Sequence, residues 1–247
     1  MKKTKIIMGM PITVEVVGAI TGSGIESAFK YFNQVDERFS TYKTTSEISK
    51  INKGLPRSKW SREMKAVMGL CEETKQLTKG YFDISHEGKL DPSGLVKGWA
   101  VYNAARLLRD KGIEDFYIVA GGDIQVHGTN ADDKPWLVGI RSPFNIEEII
   151  KVIRLTNQGM ATSGTYIRGQ HIYNPHHKDQ KTTEVKSLTV IGPNVYEADR
   201  YATAAFAMGK PGIAFIEETL GLEGYMVDAD KTATYTSGFE RYVVKDA

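Results

Sequence analysis

Residues 5–17 alternate apolar and polar positions, which predicts a strand. The period then changes: Ile25, Ala28, Phe29, Phe32 and Val35 recur at helical spacing and predict a helix over 22–35. A polar stretch, 40–52, carries a helix-capping Ser46, and a second helix is predicted over 61–78 with Met64, Val67, Met68 and Cys71 on one face. The turn Lys79-Gly80 leads into Tyr81-Phe82-Asp83-Ile84. After Asp91 a third helix runs through Val101, Ala104, Ala105 and Leu108 to a stop at Gly112. Residues 116–120 form a compact apolar strand that ends at Gly121-Gly122-Asp123, and 124–127 pair back against it. Further strands are predicted at 136–140, 149–155 and 187–191, with a helical turn at 145–148. A final helix over 197–208 stops at Gly209 with Pro211 beyond it, and the tail 224–244 adds two or three strands. Helices and strands interleave without a strict strand–helix–strand repeat. The expectation is a mixed α/β (α+β) fold, one compact domain over 1–247 with mixed sheets and packed helices.

Composition narrows the class of protein. With 41% hydrophobic and 25% charged residues in 247, the chain is an ordinary globular one. Thirty-two basic against thirty acidic residues, scattered along the chain, give no electrostatic footprint for nucleic acid, so a small molecule or a protein is the expected partner. Cys71 is the one cysteine, which excludes a disulfide or a thiolate metal cluster and leaves core packing as its role. The start, Met1-Lys-Lys-Thr-Lys, is basic, but polar Thr13 and Glu15 interrupt the apolar residues beyond it, and no small-residue cleavage site is present. No membrane segment is predicted. The expectation is cytoplasmic residence, or an extracytoplasmic form whose signal has been removed.

Three segments carry candidate chemistry. Asp91-Pro-Ser-Gly94-Leu-Val-Lys97-Gly98-Trp-Ala100 brings an acid, a turn and a lysine to a helix start, whose unpaired N–H groups and Lys97 would suit a phosphate. The same residues also read as an ordinary start capped by Asp91 or Ser93, with Lys97 solvated. Asp199 and Thr203, four apart on a helix, present two hard oxygen donors on one face, a set that suits magnesium. The adjacent Ala198, Ala202, Ala204 and Ala205 are expected to leave that face open. The plainer alternative is a solvated aspartate and a threonine bonded to its own backbone. Residues 161–166 read as a small-residue turn followed by His171, a candidate general base, and Tyr173, a ring on which a ligand could stack. His176 and His177 are expected on the surface. Phosphate-loop, dinucleotide-glycine and nucleophile-elbow motifs are absent, so any nucleotide site is built differently.

Taken together, these blocks resemble the ApbE family, the FAD:protein FMN transferases. The resemblance rests on Met8-Gly9, Ser40-Thr-Tyr42 with Ser46-Glu47 and Asn52, and Gly80-Tyr-Phe-Asp83. It continues through Asp91 with Gly94, Lys97, Gly98 and Ala100, Gly121-Gly-Asp123 with Gly128, and Thr162-Ser-Gly164 with Tyr166. His171 with Pro175 and Ala198-Asp199 with Thr203 complete the family order. It implies an ApbE-like fold related to the T-fold, with FAD in a central cleft. It further implies Mg2+, with FAD as the substrate whose FMN half passes to a threonine or serine hydroxyl of an acceptor flavoprotein, releasing AMP. By resemblance Met8, Tyr42, Tyr81, Phe82, Asp83, Asp91, Lys97 and Tyr173 match flavin-nucleotide contacts. Gly94 through its carbonyl, with Asp199 and Thr203, matches the metal ligands, and His171, Asp199 and Lys97 match the catalytic positions. FAD hydrolysis to FMN and AMP, or FAD binding without turnover, are the alternatives. The chain departs from many members in having only seven residues between Asp83 and Asp91, which pares down the cleft rim. It also has Ala202 where some place a second aspartate, which leaves fewer ligands, and it lacks a lipoprotein signal.

Overall fold

The computed structural model describes residues 1–18, 22–165, 172–177 and 183–245. An eight-stranded sheet forms its centre. Its members, in chain order, are β1 (Lys2–Ile7), β2 (Met10–Val16), β5 (Phe116–Ala120), β6 (Asp123–His127), β9 (Gly159–Gly164), β10 (Val185–Gly192), β11 (Glu223–Asp228) and β12 (Ala233–Tyr235). They lie side by side in that order. Two hairpins stand apart, β3 (Ser85–His86) with β4 (Lys89–Leu90) and β7 (Trp136–Arg141) with β8 (Ile149–Leu155). Each of these strand pairings is antiparallel, which narrows the expected mixed sheets to ladders of one sense. Among the described residues, six α-helices accompany them: α1 (Gly22–Phe39), α2 (Glu47–Ile51), α3 (Arg62–Leu77), α4 (Ser93–Arg109), α5 (Val195–Ala207) and α6 (Gly212–Glu218).

The helices cover one face of the sheet. Ile12, Val14 and Val16 of β2 and Phe116 and Ile118 of β5 meet Phe29 and Phe32 of α1, Val67 of α3 and Val101 and Leu108 of α4 in one core. Each fully buried phenylalanine there stabilises the fold by roughly 1.5–3 kcal/mol. A second core joins Leu188 and Val190 of β10 to Ala198, Ala202, Ala205 and Phe206 of α5 and Ile216 of α6. The opposite face is closed by the β7–β8 hairpin, whose Trp136, Val138, Ile153 and Leu155 pack on Val126, Tyr225, Val227 and Phe239. Among the described residues, no helix is long and apolar enough to cross a membrane.

Four elements depart from the expectation. The strand predicted over 5–17 is a hairpin, because Met8 at φ 56° and Gly9 at φ 71° supply the two positive values that a type I′ turn requires. The small-residue turn predicted at 161–166 is β9 through Gly164, paired along its length with β10 and at its start with β6. Its residues are small because α5 crosses directly over it: a side chain at Gly159 would run into the backbone of Val195. The stop at Gly209 is observed, with α5 ending at Ala207 and Gly209 at φ 72°, but that helix is not the last: Pro211 is the residue before α6, where its fixed φ and missing N–H suit a helix start. Ala198, Ala202, Ala204 and Ala205 of α5 are fully buried and do not form an open face. They are small so that α5 can lie between α4 and the sheet.

Candidate active site

The site is made where α4 and α5 touch. Helix α5 is set down firmly at its N-terminus: Asn194 caps it by accepting from Glu197 N–H at 3.0 Å, and Gln125 Oε1 of β6 accepts from Val195 N–H at 2.8 Å. On its other side Arg200, only 6% exposed, pairs with Glu197 and reaches Thr74 of α3 at 3.2 Å. Between these anchors Asp199 faces α4. Its Oδ2 accepts the Gly98 N–H at 2.8 Å. Only glycine permits this approach, since a Cβ at position 98 would lie 2.5 Å from Asp199 Cβ and 2.8 Å from the Val195 carbonyl.

That bond has a local consequence in α4. In a regular helix the Gly98 N–H is the partner of the Gly94 carbonyl. Drawing it toward Asp199 weakens that claim, and the Gly94 carbonyl accepts from Thr203 Oγ1 at 3.3 Å. Gly94, Asp199 and Thr203, expected to act together, are therefore brought together. Their oxygens are all hard donors, the class that Mg2+ prefers. Ala202 is wholly buried in the core with Leu188 and Val190.

Lys97 is not solvated. Its Nζ lies 2.8 Å from Asp123 Oδ2 and 3.7 Å from Asp199 Oδ1. Asp123 is the site residue that sequence reasoning misses: its Gly-Gly-Asp motif reads as a turn, and nothing in it signals a lysine 26 positions earlier in the chain. It is fully buried, and Thr162 N–H donates to its Oδ1 at 3.4 Å. Burial, reinforced by the Asp199 carboxylate, pushes the Asp123 carboxyl above the usual range, and Lys97 opposes that rise. Neither Asp91 nor Ser93 closes the start of α4 as a formal cap: Pro92 holds that place, and Asp91 Oδ1 accepts the Ser93 N–H at 3.0 Å just outside it.

A second group of predicted residues forms a rim. The chain from Tyr81 to Asp91 folds through the β3–β4 hairpin, whose tip, Glu87 at φ 50° and Gly88 at φ 75°, is again of type I′. Asn52, part of a motif block but with no role expected of it, clasps this hairpin by accepting from Leu90 N–H at 2.8 Å and donating to the Leu90 carbonyl at 2.9 Å. Asp83 pairs with Lys75 at 2.9 Å and accepts the Ser85 N–H. Residues 172–177 lie against this segment: Tyr173 donates to the Ser85 carbonyl at 3.1 Å and its ring tilts over His86 at 4.3 Å. Burial, with the charges of Asp83 and Asp91, raises the Tyr173 phenol above its ordinary value. His176, expected only to be exposed, also packs edge-on against Tyr81 at 4.5 Å. Behind Asp83 a groove of about 540 Å³ opens between α3 and the hairpin, lined by Trp60, Met68 and Leu90 among others.

The remaining predicted contacts fall elsewhere. Phe82 is buried in the core and touches the space beside Gly94, so it backs the site. Met8 is half-buried at the β1–β2 turn, and Tyr42 is 96% exposed. His171 and Tyr166 lie outside the described residues. Cys71 is a buried core residue whose thiol is pushed up to about 12 by burial.

A family model described as "ApbE family" matches residues 8–88 and 85–226. A FAD:protein FMN transferase of Escherichia coli K12 is 28% identical over 169 residues, 64% of this chain and 48% of that protein. One from Vibrio cholerae is 32% identical over 138 residues, 52% of this chain and 41% of that protein. The chain thus spans about half the length of the curated relatives it matches. The solved structure of the flavin transferase ApbE from Vibrio cholerae superimposes with a TM-score of 0.86 at 22% identity, over 98% of each chain. That likeness fixes the fold.

Proposed function

The chain belongs to the ApbE family, and from that premise we propose that it is a magnesium-dependent FAD:protein FMN transferase acting as one domain over residues 1–247. The observation that carries this reading is the meeting of the Gly94 carbonyl, the Asp199 carboxylate and the Thr203 hydroxyl beside the Lys97 ammonium. Three hard oxygens and a cation at one helix junction suit a pyrophosphate and the divalent ion that accompanies it. Gly94, Asp199 and Thr203 would hold Mg2+, which when bound supplies charge neutralisation to the pyrophosphate oxygens.

The protein's own groups do the rest. Lys97 presents a second positive charge to the phosphoryl oxygens, where charge builds as the bond breaks. Tyr81 and Tyr173 offer rings to the flavin nucleotide, with Asp83 and Asp91 beside them; Met8, Tyr42 and Phe82 complete the contacts that the family resemblance assigns. The acceptor hydroxyl attacks the FMN phosphorus, the bridging P–O bond breaks, and AMP leaves with the electron pair. His171, or Asp199 in its place, takes the hydroxyl proton.

Incubation with FAD, Mg2+ and a candidate acceptor flavoprotein, followed by intact-mass measurement, tests this reading. A gain of one FMN on a threonine or serine of the acceptor, with AMP released, is expected. Free FMN and AMP with an unmodified acceptor would make water the acceptor, and unchanged FAD would leave a binding protein.

A further inference from the structure

Lys97 stands between two carboxylates but does not share itself equally. Its Nζ is 2.8 Å from Asp123 and 3.7 Å from Asp199. Asp123 is placed for this by β6 and by the Gly121-Gly122 turn before it, both residues at positive φ, and it has no exposure to water. A carboxylate so deeply buried is costly unless a cation compensates it. Lys97 is that cation. Asp199, for its part, spends one oxygen on the Gly98 N–H and turns the other toward the lysine.

Two cations cannot use one carboxylate at full strength, because each reduces the field that the other meets. Without Asp123, a shift of the flexible Lys97 stem would seat the ammonium on Asp199 and neutralise the carboxylate assigned to the metal. We propose that Asp123 is a positioning residue that holds Lys97 off Asp199, and so keeps Asp199 available to a divalent cation while leaving the ammonium beside the phosphate. This inference rests on the metal reading above. It concerns a residue outside the proposed metal set, one that contacts Lys97 and acts through it.

The test is Mn2+ binding, read from the electron paramagnetic resonance of free Mn2+, with the full-length protein and no FAD present. Asp123→Asn is expected to weaken binding by about tenfold or more, the scale on which groups supporting a ligand act. Lys97→Met alone is expected to bind at least as tightly as the unaltered protein, since it removes the competitor. The double variant is expected to recover to within about threefold of Lys97→Met, the non-additive signature of two residues acting through one contact. Thermal unfolding establishes that each variant is folded. Should Asp123→Asn fail to fold, Lys97→Met decides alone: weakened Mn2+ binding overturns the inference, and equal or tighter binding upholds it. Wild-type affinity in Asp123→Asn, or a double variant as weak as Asp123→Asn, also overturns it. Mn2+ binding that is lost in Asp199→Asn but indifferent to Asp123 removes this inference and leaves the metal site intact. No Mn2+ binding by the unaltered protein removes both.

Discussion

The α4–α5 junction and the aromatic rim are built in opposite ways. At the junction, polar atoms sit in a space defined by core packing: Asp199 is 3% exposed, Asp123 is wholly buried, and Gly98 and Gly159 admit close backbone approach. At the rim, Ser85, His86, Glu87 and His176 are exposed, and the ordering contacts are ring against ring, the Lys75–Asp83 ion pair, and hydrogen bonds of Tyr173 and Asn52 to the hairpin backbone. The phosphate end of the proposed substrate would therefore meet a preorganised surface and the flavin end a compliant one. Changes at the junction should act on the chemical step and on stability, and changes at the rim on the apparent affinity for FAD.

The strongest way to break that division is Gly98→Ala. The added Cβ meets Asp199 and the Val195 carbonyl, so α4 and α5 must separate. A loss of about 1–3 kcal/mol in denaturant unfolding is expected, together with loss of transferase activity. Unchanged stability would mean that the junction is softer than its packing implies. Thr203→Ala should sharpen the picture by separating the two effects. Removing one oxygen donor should weaken metal dependence by about 10–100-fold, while loss of its single hydrogen bond to Gly94 costs about 1 kcal/mol of stability at most. Full turnover at limiting magnesium would remove Thr203 from the metal site. The smallest effect belongs to the rim. Tyr173→Phe deletes the hydrogen bond to Ser85 and should raise the KM for FAD by roughly fivefold, the equivalent of about 1 kcal/mol, with kcat and melting temperature unchanged. A fall in kcat with constant KM would place this ring in the chemistry.

Much of the junction is legible along the chain. The four-residue spacing of Asp199 and Thr203 sets them on one face of a helix wherever that helix lies, and away from the junction the expected cap at Ser46 closes the start of α2 by local geometry alone. The illegible part depends on contacts far apart in the chain. The burial of Asp123 becomes meaningful only when α4 delivers Lys97 to it. The strand character of β9 is hidden because its small residues answer to α5, more than thirty positions away in the case of Gly159 and Val195. Met8 is hidden for a different reason: methionine is an unusual turn residue, and both arms of the hairpin continue the same alternation through it.

The β3–β4 hairpin is already at its shortest. Two residues close the turn, and two on each side form the whole ladder. Its roots are fastened independently of its tip, by Asn52 to Leu90 and by Asp83 to the Ser85 N–H. Chain inserted between Glu87 and Gly88 would extend outward from fixed roots, and loop-closure entropy grows only slowly with length. Position 87/88 is thus a natural port for grafted sequence, where a guest loop could be carried while the helix junction beneath stays as it is.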